Sequence, residues 1–262
     1  MSSEQRKYLK KLRLRKYSVI FCQILIVIVF FGIWEYLANK NIINTFVFSK
    51  PSKILETIIG LIEANNLFNH IFSTLKEVLI AFSLGIILGF IIAIILYEFP
   101  ILADIIDPFL TMINSLPKVA LGPLIIIIAG ANTKSVIVMA LLINLIVSII
   151  TIYNGFLNID EKKIKMIKSF GANKLQILTK LVIPSSYKTI ISSLKLNISM
   201  SLIGVIMGEF LVSKEGLGYL IIYGTQVFNL SLVMAGILIL VVISYILYKI
   251  ITFIEGKLIK KF

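Results

Sequence analysis

The chain has 262 residues, of which 58% are hydrophobic and only 15% are charged, and it carries a net charge of +13. Soluble domains hold about 25% charged residues, so the composition excludes an ordinary soluble protein and indicates an all-α protein that crosses a membrane several times. One cysteine, Cys22, and one histidine, His70, exclude a disulfide framework and a metal cage and argue against imidazole catalysis, so no catalytic or metal-binding residue is expected.

The positive charges cluster beside hydrophobic stretches, which argues against nucleic acid as a partner. Seven Lys or Arg residues fall in residues 1–16, seven in 160–188 and four in 249–262. Because cytoplasmic loops of membrane proteins are enriched in Lys and Arg, these three segments are predicted to share the cytoplasmic side. An even number of spans must then separate each pair, and both termini are expected in the cytoplasm.

The N-terminal third is predicted to contain a tail, one span and an external loop. Residues 1–16 form a basic cytoplasmic tail, and 17–38 form the first transmembrane helix. That apolar run is too long for the core of a signal peptide and lacks a cleavage site, so it is expected to be retained. Residues 39–74 form an external loop with a surface helix, and His70 is expected in the loop. Lys76 and Glu77 are expected to cap the next span.

The core of the protein is predicted over 75–255 and contains the remaining five spans. The second span covers 75–97 and carries Gly85 and Gly89, a small-residue face on which another helix can pack closely. The third begins near Ile105 and is expected to be kinked or discontinuous, because prolines interrupt it.

The last three spans surround a lysine-rich cytoplasmic loop. They are predicted at 135–153, 189–212 and 229–250, with the loop at 154–188, and 256–262 form a second basic tail. The segment 213–223 is expected to be an external re-entrant or surface segment. About six transmembrane helices result, which places every lysine-rich segment on one side.

The loop reads as two short helices. Asp160 provides one start signal, and Asn173 with Gln176 provides a second, since each side chain can accept a backbone N–H of the other. Gly171 is predicted to bend the chain between the helices, and Pro184 to end the second. Their apolar faces must be buried, either in the membrane interface or in the groove of a cytoplasmic partner. The pattern alone leaves both open.

Three polar residues within the spans are candidates for a translocation path. Glu209 lies near the outer end of the fifth span, and Asn114 and Ser115 lie beside the interruptions of the third. Intramembrane polar groups tend to face cavities, although Glu209 could instead touch water at the boundary and the other two could join helices by hydrogen bonds. Lys195 is expected to extend to the inner interface.

The loop resembles a known motif. Gly171, nine further residues and then Leu181-x-Ile183-Pro184 are similar to the coupling motif E-A-A-x3-G-x9-I-x-L-P of permease subunits of ATP-binding cassette importers. Lys165-Met166-Ile167 replaces the E-A-A triplet, which removes the acidic group but keeps the bend and the proline.

Further blocks resemble the nitrate/sulfonate/taurine-type permeases, in the same order and over about 75–255. They are Asp107-Pro108-Phe109-Leu110, Leu116-Pro117-Lys118-Val119-Ala120-Leu121-Gly122-Pro123-Leu124, Gly130-x3-Lys134, Gly208-Glu209-Phe210 and Glu215-Gly216-Leu217-Gly218-Tyr219-Leu220-Ile221.

The resemblance implies an importer permease fold with a cytoplasmic coupling helix between the fourth and fifth spans. Contacts with the ATPase would come from Lys165, Ser169, Phe170, Gly171, Ala172, Asn173, Leu181, Ile183 and Pro184. It also implies a prokaryotic cell membrane and four partners: the lipid bilayer, an ATP-binding cassette ATPase, a second permease copy, most simply as a homodimer, and an external substrate-binding protein. ATP and Mg would bind the ATPase, and this chain would hold no cofactor and catalyse no reaction.

The expected solute is a small anion such as a sulfonate, taurine, nitrate or bicarbonate, and a vitamin precursor is the alternative. A secondary transporter or channel remains a second class, although inverted halves and several charged groups near mid-membrane are not evident. An intramembrane enzyme is a third, but the chain lacks a pair of central acidic residues or a Ser/His set.

Overall fold

The computed structural model describes residues 3–64 and 66–259, and every regular element in those ranges is helical. Residues 1 and 2 of the predicted basic tail, residue 65 of the predicted external loop and residues 260–262 of the second tail lie outside the described residues. In chain order the α-helices are α1 (Ser3–Asn39), α2 (Thr45–Phe48), α3 (Pro51–Glu63), α4 (Leu67–Glu98), α5 (Pro100–Ser115), α6 (Gly122–Ala129), α7 (Thr133–Leu157), α8 (Glu161–Ser169), α9 (Lys174–Ile177), α10 (Ile183–Val212), α11 (Leu217–Gln226) and α12 (Leu230–Ile259).

Five stretches are long and apolar enough to cross a bilayer: α1 from Lys10, α4, α7, the continuous run from α9 through α10, and α12. The pair α5 and α6 forms a sixth if it is counted as one broken span. The prediction of an all-α polytopic protein with about six transmembrane helices is therefore confirmed.

The third span is broken, as its prolines predicted. Leu116 leaves the helical conformation with ψ 142°, because the ring of the following Pro117 disfavours helical geometry at the preceding residue. A short 3-10 helix, Lys118–Leu121, then leads into α6, and the two parts of the span meet at 89°.

Helix α7 lies at the centre of the bundle and packs against α4 on one side. Gly85 and Gly89 of α4 face Asn144 and Ser148 of α7, and a Cβ added to Gly89 would lie 2.5 Å from that of Ser148. The predicted packing role of these two glycines is thus confirmed.

A second small-residue seam joins α7 to α10. A Cβ on Gly204 would lie 2.5 Å from the Cα of Ala140, and one on Gly208 would lie 2.8 Å from the Cα of Val136. Helix backbones can approach this closely only where side chains are small. Together the two seams bring α4, α7 and α10 into one compact core.

Several sequence predictions are wrong in detail. The second span begins at Leu67 rather than near residue 75, so His70 belongs to α4 and Glu77 is buried inside the bundle instead of capping a helix end. Lys195 forms an ion pair with Glu255 near the C-terminal end of α12, and its expected place at the inner interface stays a prediction.

A further error concerns Pro184, which does not end the second cytoplasmic helix. The π-helical turn Leu178–Val182 joins α9 directly to α10, and the N–H of Ile183 bonds to the carbonyl of Leu178, five residues back. A proline normally breaks a helix because it lacks an N–H and clashes with the carbonyl four residues earlier. The wider π turn just before it lets the helix continue through Pro184.

Candidate functional site

The cytoplasmic segment between α7 and α10 contains two capped helices joined at Gly171. Asp160 accepts a hydrogen bond from the N–H of Lys162 at 2.8 Å and starts α8. At α9 the side chain of Asn173 accepts from Gln176 N at 2.8 Å, and the Gln176 side chain accepts from Asn173 N at 2.9 Å. The predicted start signals of both helices are confirmed.

Gly171 forms the bend with a left-handed backbone, φ 81°. Its N–H bonds to the carbonyl of Lys168 at 3.0 Å, and the N–H of Ala172 bonds to that of Ile167 at 3.4 Å. These two bonds make the Schellman arrangement that ends a helix at a residue with positive φ. The predicted bend is therefore a defined structure rather than a flexible link.

The segment packs firmly on the inner ends of the spans. Ile177, Leu178 and Val182 are buried in one cluster with Ile152 and Phe156 of α7. The hydroxyl of Ser186 in α10 donates to the carbonyl of Gly155 in α7 at 2.8 Å. A force applied to this segment would consequently reach α7 and α10 directly, without a mobile linker between them.

The remaining apolar residues of the segment point outward. Phe170 is 81% exposed, and Met166 and Leu175 are more than half exposed. We refer to these three residues as the coupling tip. Exposed apolar residues on an otherwise charged segment are typical of a surface that another protein covers.

Among the other predicted contact residues, the polar ones lie at the surface. Lys165 is exposed and pairs with Glu161 at 3.3 Å, and the hydroxyl of Ser169 donates to the carbonyl of Met166 at 2.7 Å. Leu181 and Ile183 are half-buried against the bundle, so they contribute more to fixing the segment on the bundle than to its exposed surface.

A groove beside the broken span has the polar residues Asn114, Lys118 and Thr151 in its wall. It has a volume of about 360 Å³ and is lined by Asn114, Lys118, Ile143, Val147, Ile150, Thr151, Leu196 and Met200. Asn114, predicted for a translocation path, lies in its wall. Ser115 is exposed next to it, and its hydroxyl donates to the carbonyl of Met112 at 2.8 Å.

Glu209, the third predicted path residue, occupies a different place. It is fully buried, and its carboxylate accepts from the hydroxyl of Thr74 and from the N–H of Gly218, both at 2.6 Å. Thr74 in turn accepts from the N–H of Leu217 at 2.8 Å. In this structure Glu209 touches no open groove and is not a boundary residue in water.

The partners of Glu209 show what it does locally. The first N–H groups of a helix have no partner within the helix, and here those at the start of α11 bond to side chains of neighbouring spans. His70 accepts a hydrogen bond from the N–H of Gly216 at 3.0 Å. Thr74 accepts one from the N–H of Leu217, and Glu209 accepts one from the N–H of Gly218. The carboxylate also lies at the positive end of the α11 dipole. These contacts hold the external segment in the bundle.

Sequence reasoning missed a buried polar network between α7 and α10. Ser148 donates to Asn197 Oδ1 at 3.0 Å, and Asn144 Nδ2 donates to the carbonyl of Ala81 in α4 at 3.2 Å. The asparagines within otherwise apolar spans were the sequence feature that could have indicated this network. In the described part of the chain no group of three or more His, Cys, Asp or Glu side chains could hold a metal ion.

Comparison with known proteins gives a consistent result. Residues 85–260 match the protein family described as "Binding-protein-dependent transport system inner membrane component". A probable ABC transporter permease protein of Haemophilus influenzae is 30% identical over 86% of this chain and 91% of its own length. The putative aliphatic sulfonates transport permease protein SsuC of Bacillus subtilis is 26% identical over 88% of this chain and 84% of its own.

Two further comparisons concern a relative that is named for a different solute and a solved structure. The formylaminopyrimidine transport permease protein ThiX of Halalkalibacterium halodurans is 25% identical over 71% of this chain and 74% of its own. A solved inward-facing structure of the MetNI methionine ABC transporter matches with a TM-score of 0.66 at 18% identity, over 73% of this chain and 95% of that one. The second likeness concerns the fold alone.

Proposed function

The chain belongs to the family of binding-protein-dependent transport system inner membrane components, and from that premise we propose how it works within a transporter. It is a permease subunit of an ATP-binding cassette importer, as the sequence motifs implied. We infer that it binds an ATP-binding cassette ATPase through the coupling tip, pairs with a second copy of itself and receives solute from an external binding protein. ATP and Mg bind the ATPase, and this chain catalyses no reaction.

The coupling tip is the observation that carries the ATPase contact. Phe170 is an aromatic residue at 81% exposure beside a rigid glycine bend, and the segment behind it is buried in the inner ends of α7 and α10. An exposed aromatic anchor on a fixed support is suited to a groove in a partner. The alternative is insertion into the membrane interface, which Lys168 and Lys174 beside the tip would also suit, and the co-purification experiment below separates the two.

The proposed movement follows from this support. When the ATPase subunits close on nucleotide, they displace the coupling tips, and α7 and α10 move with them because the π turn and α10 form one continuous helix. The movement of the spans then closes the groove towards one side of the membrane and opens it towards the other. This is a two-state element biased by nucleotide.

The second copy is proposed to cover the open side of the groove. In the single chain, Asn114 and Ser115 are exposed on the face of α5. Polar groups at this depth would be costly against lipid, whereas a path between two copies would surround them with water. We place the complex in the cell membrane of a prokaryote with both termini in the cytoplasm, on the distribution of Lys and Arg.

The solute is proposed to be small and delivered externally. The relatives include permeases named for aliphatic sulfonates and for formylaminopyrimidine, so a sulfonate-type anion and a vitamin precursor are both candidates.

Affinity purification tests the assembly. The tagged chain, purified from membranes of its own host, is expected to bring down an ATPase with a phosphate-binding loop in equal amount, and the complex is expected to hydrolyse ATP. The Phe170→Asp variant should lose the ATPase. Phe46→Asp, which changes a phenylalanine that is 63% exposed at the other end of the bundle, should keep it. A chain that purifies without an ATPase, or moves solute alone in liposomes, would contradict the proposal.

A further inference from the structure

Lys118 is a cation with neutral partners at the break of the third span. It begins the 3-10 turn between α5 and α6. Its ammonium donates to the backbone oxygen of Asn114 at 3.0 Å and to the side-chain oxygen of the same residue at 3.3 Å. Both acceptors are uncharged, and both belong to the preceding helical turn.

No carboxylate balances this charge within residues 3–64 and 66–259. The ion pairs there join Lys165 to Glu161 and Lys195 to Glu255. The contrast with Lys195 is informative, since that lysine also lies within a span but has an acidic partner on α12. Lys118 therefore lacks the acidic partner that Lys195, another partly exposed lysine of the bundle, has.

The groove at Lys118 lies beside the middle parts of α7 and α10. Its opposite wall is formed by Val147 and Thr151 of α7 and by Leu196 and Met200 of α10. These positions lie near the midpoints of two helices that run from one side of the bundle to the other. An unpaired ammonium at such a depth is costly against lipid and is retained where it meets water or a counter-charge.

We propose that Lys118 and Asn114 form a transient anion site in the groove, at which the permease itself favours solutes that carry a compact negative group such as a sulfonate. The lysine supplies the charge, and the Asn114 amide and the Thr151 hydroxyl supply hydrogen-bond donors beside it. The neutral contacts of Lys118 keep the ammonium in place without neutralising it. The inference rests on the proposed function, because it takes this groove as part of the path.

A sulfonate probe can measure the charge of the groove directly. Cys22 is the one cysteine of the chain, so Cys22→Ser with Thr151→Cys places a single thiol in the wall. Sulfonatoethyl methanethiosulfonate and its trimethylammonioethyl counterpart each form a mixed disulfide with the thiolate and release methanesulfinate. Their rates are compared on the purified complex, with both faces accessible.

The expected result is a preference for the anionic reagent that depends on Lys118. Lys118→Met should lower the ratio of anionic to cationic rates about tenfold, since one charge at short range acts oppositely on the two reagents. Lys118→Arg should keep the ratio. Lys134→Met, which removes a lysine at the start of α7, should also keep it and serves as the control.

Two results would overturn the inference. One is a rate ratio that Lys118→Met leaves unchanged, and the other is a thiol at position 151 that reacts with neither reagent. Co-purification of the ATPase is measured on the same samples. An intact complex without charge preference would therefore refute the anion site alone, and a missing ATPase would refute the proposed function.

Discussion

The carboxylate of Glu209 in α10 accepts a hydrogen bond from the backbone N–H of Gly218 in α11 at 2.6 Å, across the turn that joins the two helices. Gly216, inside that turn, has φ 110°, and a Cβ there would collide with the same carboxylate. The carboxylate therefore occupies the space that a side chain at Gly216 would need, so this position of the turn requires glycine. This contact holds the external segment together with the hydrogen bonds from Gly216 to His70 and from Leu217 to Thr74.

Glu209→Ala is expected to destabilise the protein. The substitution leaves the N–H of Gly218 and the hydroxyl of Thr74 buried without their acceptor, and each unsatisfied group costs about 1–3 kcal/mol. We expect a lower thermal unfolding midpoint in detergent and a proportional loss of abundance and solute uptake. Uptake that falls while abundance and unfolding midpoint stay normal would instead assign Glu209 to the path.

Glu77→Met is expected to have the opposite effect. Glu77 is 1% exposed, and among the described residues its carboxyl group has no ion-pair partner of opposite charge and no hydrogen-bonding neighbour other than the acid Glu209. Replacing an unpaired buried acid by an apolar side chain of similar size removes a desolvation penalty. The unfolding midpoint should stay the same or rise. A fall as large as that of Glu209→Ala would show that Glu77 has a required partner.

Gly204→Val is expected to separate α7 from α10. The added side chain would meet the backbone of Ala140, which has no room to move between two packed helices, and overpacking typically costs about 1–3 kcal/mol. Gly60→Val is the matched control, because nothing lies within 4 Å of a Cβ at Gly60. Unfolding midpoints of the two variants give the comparison, and equal midpoints would contradict the close seam.

Gly171 tests the bend behind the coupling tip. No atom lies within 4 Å of a Cβ at this position, so the effect of a substitution comes from φ 81° rather than from a clash. Valine is strongly disfavoured at positive φ, whereas asparagine tolerates it. Gly171→Val should lose co-purified ATPase at normal abundance, and Gly171→Asn should keep most of it. Equal retention in both variants would mean that the bend is not required.

Much of the fold was predictable because it depends on local patterns. Apolar runs located the spans, prolines located the break in the third, and Asn173 with Gln176 located the start of α9. Each of these patterns involves residues that lie only a few positions apart in the chain. The same holds for Gly85 and Gly89, whose spacing places them on one face of one helix.

What the sequence could not show depends on pairs of residues far apart in the chain. Thr74 and Glu209 meet only because α4 and α10 pack side by side. A glutamate near a span end suggested a path, and its hydrogen bond to the start of α11 could not be read from the sequence. Likewise, Pro184 is a helix breaker by itself, and only the π turn before it allows the helix to continue. The outward direction of Phe170 also depends on packing elsewhere in the segment.

Cross-linking from residue 170 tests the central claim most directly. In a Cys22→Ser background, Phe170→Cys with a short thiol-to-amine cross-linker in native membranes should give a product of the permease and one ATPase subunit, identified by mass spectrometry. Phe46→Cys at the other end of the bundle should not. A product from residue 170 that contains no ATPase, or equal yields of the ATPase product from both positions, would contradict the account.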